Sequence, residues 1–439
     1  MAGSGLLSTY IVTEQAGLSA ERRRGPMSGA WLLSAAMVGS GALVYAFHVL
    51  AAQTLGADAY GQIAALWGAM FLAVVVLFRP LEQTAARAVA HRRARGEEVA
   101  TVVYAVAGLY GMIVLIGIAA MAAGWSTITE RLFVGNGVMT AAFGIGVAAT
   151  GLAYVVRGTA AGTDWFGGYG MGLMADAAVR LTIALPLVLV ASQDLAAAAV
   201  AAAGLGAVLV PLYVGRRLFR SLLAPGTGSR FHLGSALGFA APASVIAGAD
   251  QLLVNGAPVL VMIEGGPDAA RVAGIVFAAT MLVRVPVYLF QGLAASLLPN
   301  LTRMHADDEV GKFRSAVART ALVLLGAGGL IVLGAAAVGP ESMRLLFGEE
   351  FGVGRLELTL LGAGVGCYLA AATISQALLA IDSGARAAWA WFAAAVLFVC
   401  LYAALPGDEI ARISLAFVVA TLTGLAALAL LLAGRITAR

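Results

Sequence analysis

The chain has 439 residues, of which 61% are hydrophobic and 11% charged, with a net charge of +4 and a mean hydropathy of +0.93. Soluble domains carry roughly 25% charged residues, so this chain cannot coat a water-facing globule, and most of its surface must face lipid. Its two cysteines, Cys367 and Cys400, lie inside apolar runs and imply no disulfide framework.

Residues 1–27 read as a cytoplasmic N-terminal tail carrying Arg22, Arg23 and Arg24, without the apolar core of a signal peptide. A helix needs about 20 apolar residues to cross the hydrocarbon layer. Such runs cover 28–53, 60–84, 99–123, 137–156, 166–191 and 195–214 in the first half. In the second half they cover 234–262, 270–298, 315–338, 356–380, 386–404 and 411–434. Twelve spans with both termini inside place nineteen of the 27 basic residues on the cytoplasmic side, Arg157 among them at the end of span four. Five fall outside, and Arg79, Arg180 and Arg284 lie within spans. The net positive charge is therefore membrane anchoring, and no nucleic-acid partner is expected.

The most polar break, Leu218 to His232, bisects the chain into a six-helix N-terminal lobe (28–223), a cytoplasmic inter-lobe linker (224–233) and a six-helix C-terminal lobe (234–439). Six is even, so both lobes start on the same side, and symmetry between them is a pseudo-two-fold along the membrane normal. An echo at matching positions fits this: Gly56-Ala57-Asp58-Ala59 opens span two and Gly266-Pro267-Asp268-Ala269 opens span eight. The fold class expected is all-α integral membrane, about twelve transmembrane helices in two bundles.

A charge at the bilayer centre costs at least about 2.5 kcal/mol, so intramembrane polar groups must face protein or a wet cavity. In span two, Arg79 precedes Pro80, with Glu82 and Gln83 on the same face. Span eight carries Arg284, Tyr288 and Gln291 at i, i+4 and i+7 beside Pro286. Arg79, Glu82, Arg284, Tyr288 and Gln291 are the candidate substrate ligands, and Pro80 and Pro286 the candidate hinges, since proline weakens a helix locally. In span five, Asp176 stands four residues before Arg180, the spacing of an intrahelical ion pair that stabilises the bundle or, alternatively, couples to an ion or proton. In span seven, Asp250, Gln251 and Asn255 form a polar group: Asp250 binds a proton or cation, or the helix breaks there and leaves it wet. His48 reads as a packed histidine. No zinc spacing, glycine-rich phosphate loop or nucleophile elbow occurs, so no catalytic residue, metal or cofactor is expected.

Several segments resemble bacterial polysaccharide flippases. Leu55-Gly56-Ala57-Asp58-Ala59-Tyr60-Gly61 is similar to their opening of span two, and Arg157-Gly158 fits after span four. Asp250-Gln251-Leu252-Leu253-Val254, then Ala273-Gly274 and the stretch through Pro286 to Leu298-Pro299, resembles their second-half signature. Leu345-Leu346-Phe347-Gly348-Glu349-Glu350-Phe351 is similar to their segment after span nine. These flippases belong to the multidrug/oligosaccharidyl-lipid/polysaccharide (MOP) exporter superfamily, and the resemblance spans roughly residues 28–400.

The resemblance implies a V-shaped pair of six-helix bundles alternating access around a central cavity in the bacterial cytoplasmic membrane. It implies a polyprenyl-diphosphate-linked saccharide as substrate, membrane lipids as surroundings, and a polysaccharide polymerase or glycosyltransferases as partners. Buried arginine suits the diphosphate, because guanidinium forks phosphate oxygens. Span one departs from the strongly cationic span of lipid II flippases, offering only Ser34, Ser40, Tyr45 and His48 as polar candidates, which favours a capsule or O-unit substrate. A cation-coupled drug exporter of the same architecture is the alternative, served by Asp176 and Asp250. A polyprenyl-dependent glycosyltransferase or ligase is disfavoured, since the outer loops are short and hold no paired carboxylates.

Overall fold

The computed structural model describes residues 26–224, 233–284, 301, 304, 310–381 and 383–437. Pro286, Tyr288 and Gln291, together with most of the inter-lobe linker, lie outside the described residues.

The first helix, α1 (Pro26–Ala94), has 69 residues, about 100 Å at 1.5 Å per residue and far more than one bilayer core. It holds two spans. Gly56 sits at φ 74°, ψ 173°, outside helical space, a left-handed φ that glycine adopts without steric cost. The Tyr60 hydroxyl lies 3.2 Å from His48 Nδ1, whereas twelve residues of straight helix would separate them by about 18 Å. The chain therefore bends back at Gly56. It remains helical through Pro80, so the break in this helix falls at the glycine rather than at the proline where the sequence suggests a hinge.

The first half continues with α2 (Ala100–Ala123), a short α3 (Trp125–Phe133), α4 (Gly137–Gly162), α5 (Phe166–Ala184), α6 (Gln193–Val214) and α7 (Arg216–Leu222). The segment expected to span 166–191 tightens into a 3-10 turn at Leu185–Val188, where Pro186 cannot continue the α-helical ladder. α3 went unpredicted because nine residues are too few to register as a span. The second half holds α8 (Leu233–Asn255), α9 (Ala257–Glu264), α10 (Ala269–Val283), α11 (Val310–Phe347), α12 (Arg355–Ala380), α13 (Gly384–Ala404) and α14 (Glu409–Thr437). The continuous span expected over 234–262 is broken, with α8 and α9 meeting at 68°. No strand occurs among the described residues. The protein is an all-α, multi-pass membrane protein of two helical bundles.

Small residues set the packing. α6 buries Ala196, Ala197, Ala199, Ala203, Gly204 and Ala207 against its neighbours, the close-approach chemistry used where lipid provides no hydrophobic drive between helices. The outer faces are apolar and bare: Leu115 and Ile116 on α2, and Leu322 and Leu330 on α11, are exposed as lipid-facing positions should be. The halves meet where α1 packs against α8, α9 and α10. At the Gly56 end this seam is backbone on backbone: a Cβ on Gly61 would lie 1.7 Å from Ala270 O, and one on Gly274 2.3 Å from Ala57 O. Polar ties reinforce it. Glu350 accepts from the Ala57 N–H at 3.0 Å, and the Gln53 amide donates to Leu346 O at 2.9 Å. The carboxylate thus sits on an N–H freed by the Gly56 break, where negative charge is favourable.

Candidate functional site

Away from the Gly56 end the seam changes character. Arg79, on the second arm of α1, is exposed, and among the described residues no hydrogen bond or ion pair holds it. Yet protein charges surround it: Glu82, Tyr154, Tyr169 and Arg157 lie within its electrostatic reach, and so does Asp250 from the other half. A Cβ on Gly248 of α8 would come 3.1 Å from a methyl of Val76, one turn before Arg79. The exposed guanidinium thus lies at the seam, among charged and phenolic groups of the first half and Asp250 of the second.

Glu82, one turn after Arg79, is 7% exposed. Its Oε1 accepts from the Tyr169 hydroxyl of α5 at 2.8 Å and lies 3.8 Å from Arg157 Nε of α4. The Arg157 guanidinium stacks 4.1 Å over the Tyr154 ring and 5.6 Å from the Tyr169 ring. Glycine permits this meeting, because a Cβ on Gly158 would come 2.6 Å from Glu82 O. The sequence puts Arg157 on the cytoplasmic side at the end of span four; its side chain is 11% exposed and belongs to the Glu82 cluster. The available signal was the Tyr154–Arg157 spacing of three residues, which puts ring and cation on one helix face.

Arg284, the counterpart of Arg79 in the second half, is 5% exposed. It ends α10 and donates to Val254 O, to Asn255 Oδ1 at 3.0 Å and to Met281 Sδ at 3.1 Å. Val254 and Asn255 flank the α8–α9 break, where a bent helix leaves carbonyls without intrahelical donors. The Asn255 amide donates on to Gln251 Oε1 at 2.7 Å, and the Gln251 amide to Asp250 Oδ2 at 3.0 Å. The Tyr368 hydroxyl of α12 donates to Asp250 Oδ1. Asp250, Gln251, Asn255 and Arg284 thus form one chain of hydrogen bonds, with Tyr368 as a member that the sequence does not single out.

Asp176 and Arg180 pair at 2.6 Å inside the first bundle. Arg180 is 1% exposed and stacks 4.6 Å from the Trp67 ring. His48 is fully buried in an aromatic box of Phe47, Tyr60, Trp67 and Phe277, the last contributed by α10.

No protein-family model matches the chain. Among curated proteins it is similar to two uncharacterized proteins of Mycobacterium tuberculosis (strain ATCC 25618 / H37Rv). Rv3630 is 28% identical over 365 residues, 81% of this chain and 80% of that protein. Rv1510 is 29% identical over 357 residues, 79% and 76% respectively. Among solved structures the fold is similar to the inward-facing conformation of a multidrug resistance MATE family transporter of the MOP superfamily. The TM-score is 0.69 at 15% identity, covering 90% of this chain and 94% of the other. The outward-facing conformation of a MATE family transporter of the same superfamily gives 0.65 at 15% identity, covering 94% and 96%. The chain has the MATE fold.

Proposed function

We propose that this protein is a transmembrane flippase that carries a polyprenyl-diphosphate-linked saccharide from the inner to the outer leaflet by alternating access. The observation carrying the reading is Arg79, an exposed guanidinium at the seam between the halves with no ion-pair partner among the described residues. Such a group offers charge-assisted hydrogen bonds to phosphate oxygens, and its planar fork suits them. The lipid tail stays in the bilayer beside the seam while the polar headgroup crosses within it. Arg79 and Glu82 remain the substrate-binding candidates of the first half, and Pro286, Tyr288 and Gln291 keep the candidate roles read from the sequence. Arg284 acts one step back, shaping the wall through the α8–α9 break.

The seam supports the direction of the cycle. It is closed at the Gly56 end by Gly61, Gly274 and Glu350. On the proposed topology, with both termini cytoplasmic, that end faces outward, as a state that accepts substrate from the inner leaflet requires.

A second reading, a cation-coupled multidrug exporter, is favoured by one feature: Asp250, held by Tyr368 and Gln251, is an acidic group within electrostatic reach of Arg79. Deleting the gene separates the two. The flippase reading expects a lipid-linked saccharide to accumulate in the inner leaflet. The exporter reading expects unchanged saccharide pools and greater sensitivity to organic cations.

A further inference from the structure

We propose that Arg157 and Arg79 together form an anion subsite for the substrate's diphosphate, and that Glu82 occupies its inner half until substrate displaces it. The inference rests on the flippase reading and names residues it does not require. Two guanidiniums and one carboxylate of the first half share this corner, with Asp250 of the second half also within reach of Arg79.

The pairing with Arg157 is loose. Its 3.8 Å separation exceeds the roughly 2.7–2.9 Å of a charge-assisted N–H···O bond. Arg157 Nε and Glu82 Oε2 are both buried with no hydrogen-bond partner among the described residues. A buried unmet donor and a buried unmet acceptor are each costly, so a contact that strands both is poised for exchange. A phosphate oxygen meeting Arg157 Nε would satisfy the donor.

Glu82 keeps a partner when it loses Arg157: its Oε1 accepts from the Tyr169 hydroxyl and stays there as Arg157 turns toward the ligand. The Tyr154 and Tyr169 rings flank the Arg157 guanidinium and keep its plane oriented, as cation–π stacking does. Glu82 is thus a resident competitor. It neutralises the buried cation in the empty protein and sets a threshold that a singly charged headgroup passes less readily than a diphosphate.

The test is calorimetric titration of the full-length protein in lipid nanodiscs with farnesyl diphosphate, and separately with inorganic pyrophosphate. Farnesyl diphosphate binding well above pyrophosphate assigns the site to a lipid-linked headgroup, whereas equal affinity assigns the same chemistry to a free diphosphate. Glu82→Gln is expected to tighten diphosphate binding by about fivefold or more, and Arg157→Gln to weaken it by about tenfold. Glu82→Asp, which keeps the charge but draws it back from Arg157, is expected to tighten binding less, and serves where the glutamine variant does not fold. Wild-type binding that both Glu82 variants leave unchanged or weaken overturns this inference alone. So does Arg157→Gln binding at wild-type affinity while Arg79→Gln abolishes it. Absence of diphosphate binding in the wild type and in Glu82→Gln would overturn the flippase reading with it.

Discussion

Arg79 and Arg284 occupy corresponding spans of the two halves, each beside a proline, yet they do different work. Arg79 is exposed in the seam with no ion pair among the described residues. Arg284 is buried, its donors engaged by Val254, Asn255 and Met281. The difference lies in the neighbouring backbone, not in the arginines. Beside Arg79 the helix runs on through Pro80 and gives up only the one ladder bond that proline cannot donate. The break after Asn255 frees carbonyls, and a buried cation goes to them. Equivalent position in a repeat does not make two guanidiniums equally available.

The sharpest probe of that contrast is Arg284→Ala. It leaves Val254 O and Asn255 Oδ1 without their donor, at about 1–3 kcal/mol for each orphaned buried group. The melting temperature in detergent should fall clearly, and an unchanged value would show that Arg284 is as free as Arg79. Next is Arg79→Ala, expected to leave the melting temperature within error while reducing transport about tenfold or more, the worth of one charge-assisted hydrogen bond. A variant that loses stability as well would place Arg79 in the packing rather than free at the seam. Asn255→Ala removes the middle of the Arg284–Asn255–Gln251 chain and should destabilise by about 1–2 kcal/mol, read from the same melting curves. The smallest effect belongs to the closed end of the seam. Glu350→Gln keeps an acceptor for the Ala57 N–H but removes the charge, weakening closure there by about 0.3–1 kcal/mol. Distances between spin labels on Gln53 and Leu345 should show a modest shift toward the open population.

The bundle was legible in the sequence because span length is a one-dimensional signal. α2, α6, α12 and α13 begin and end within three residues of the expected spans. The bend at Gly56 and the break at Gly256 were harder to read, since both glycines sit in a chain with 55 of them. Only the packing shows which are forced: a Cβ on Gly256 would meet Leu252 O at 2.3 Å. Of the candidate site, Arg79 and Glu82 stood out by charge inside an apolar run. Arg157 did not, because near the end of a span a cluster member and a membrane anchor look alike. Tyr169 and Tyr368 carried no signal at all, as tyrosine is ordinary in membrane helices and acquires meaning through the carboxylate or guanidinium it meets. Pairing Asp176 with Arg180 was readable from helical spacing alone, being local to one helix.

The central claim is that the accessible guanidinium in the seam moves a lipid-linked anionic headgroup across the bilayer. Proteoliposomes loaded with a fluorescent polyprenyl-diphosphate-linked saccharide, quenched from outside, measure that movement directly. Wild-type protein should make the inner pool accessible to quencher, and Arg79→Ala at equal incorporation should not. Equal rates for the two proteins, or a wild type that leaves the lipid in place while exporting an organic cation, would contradict the account.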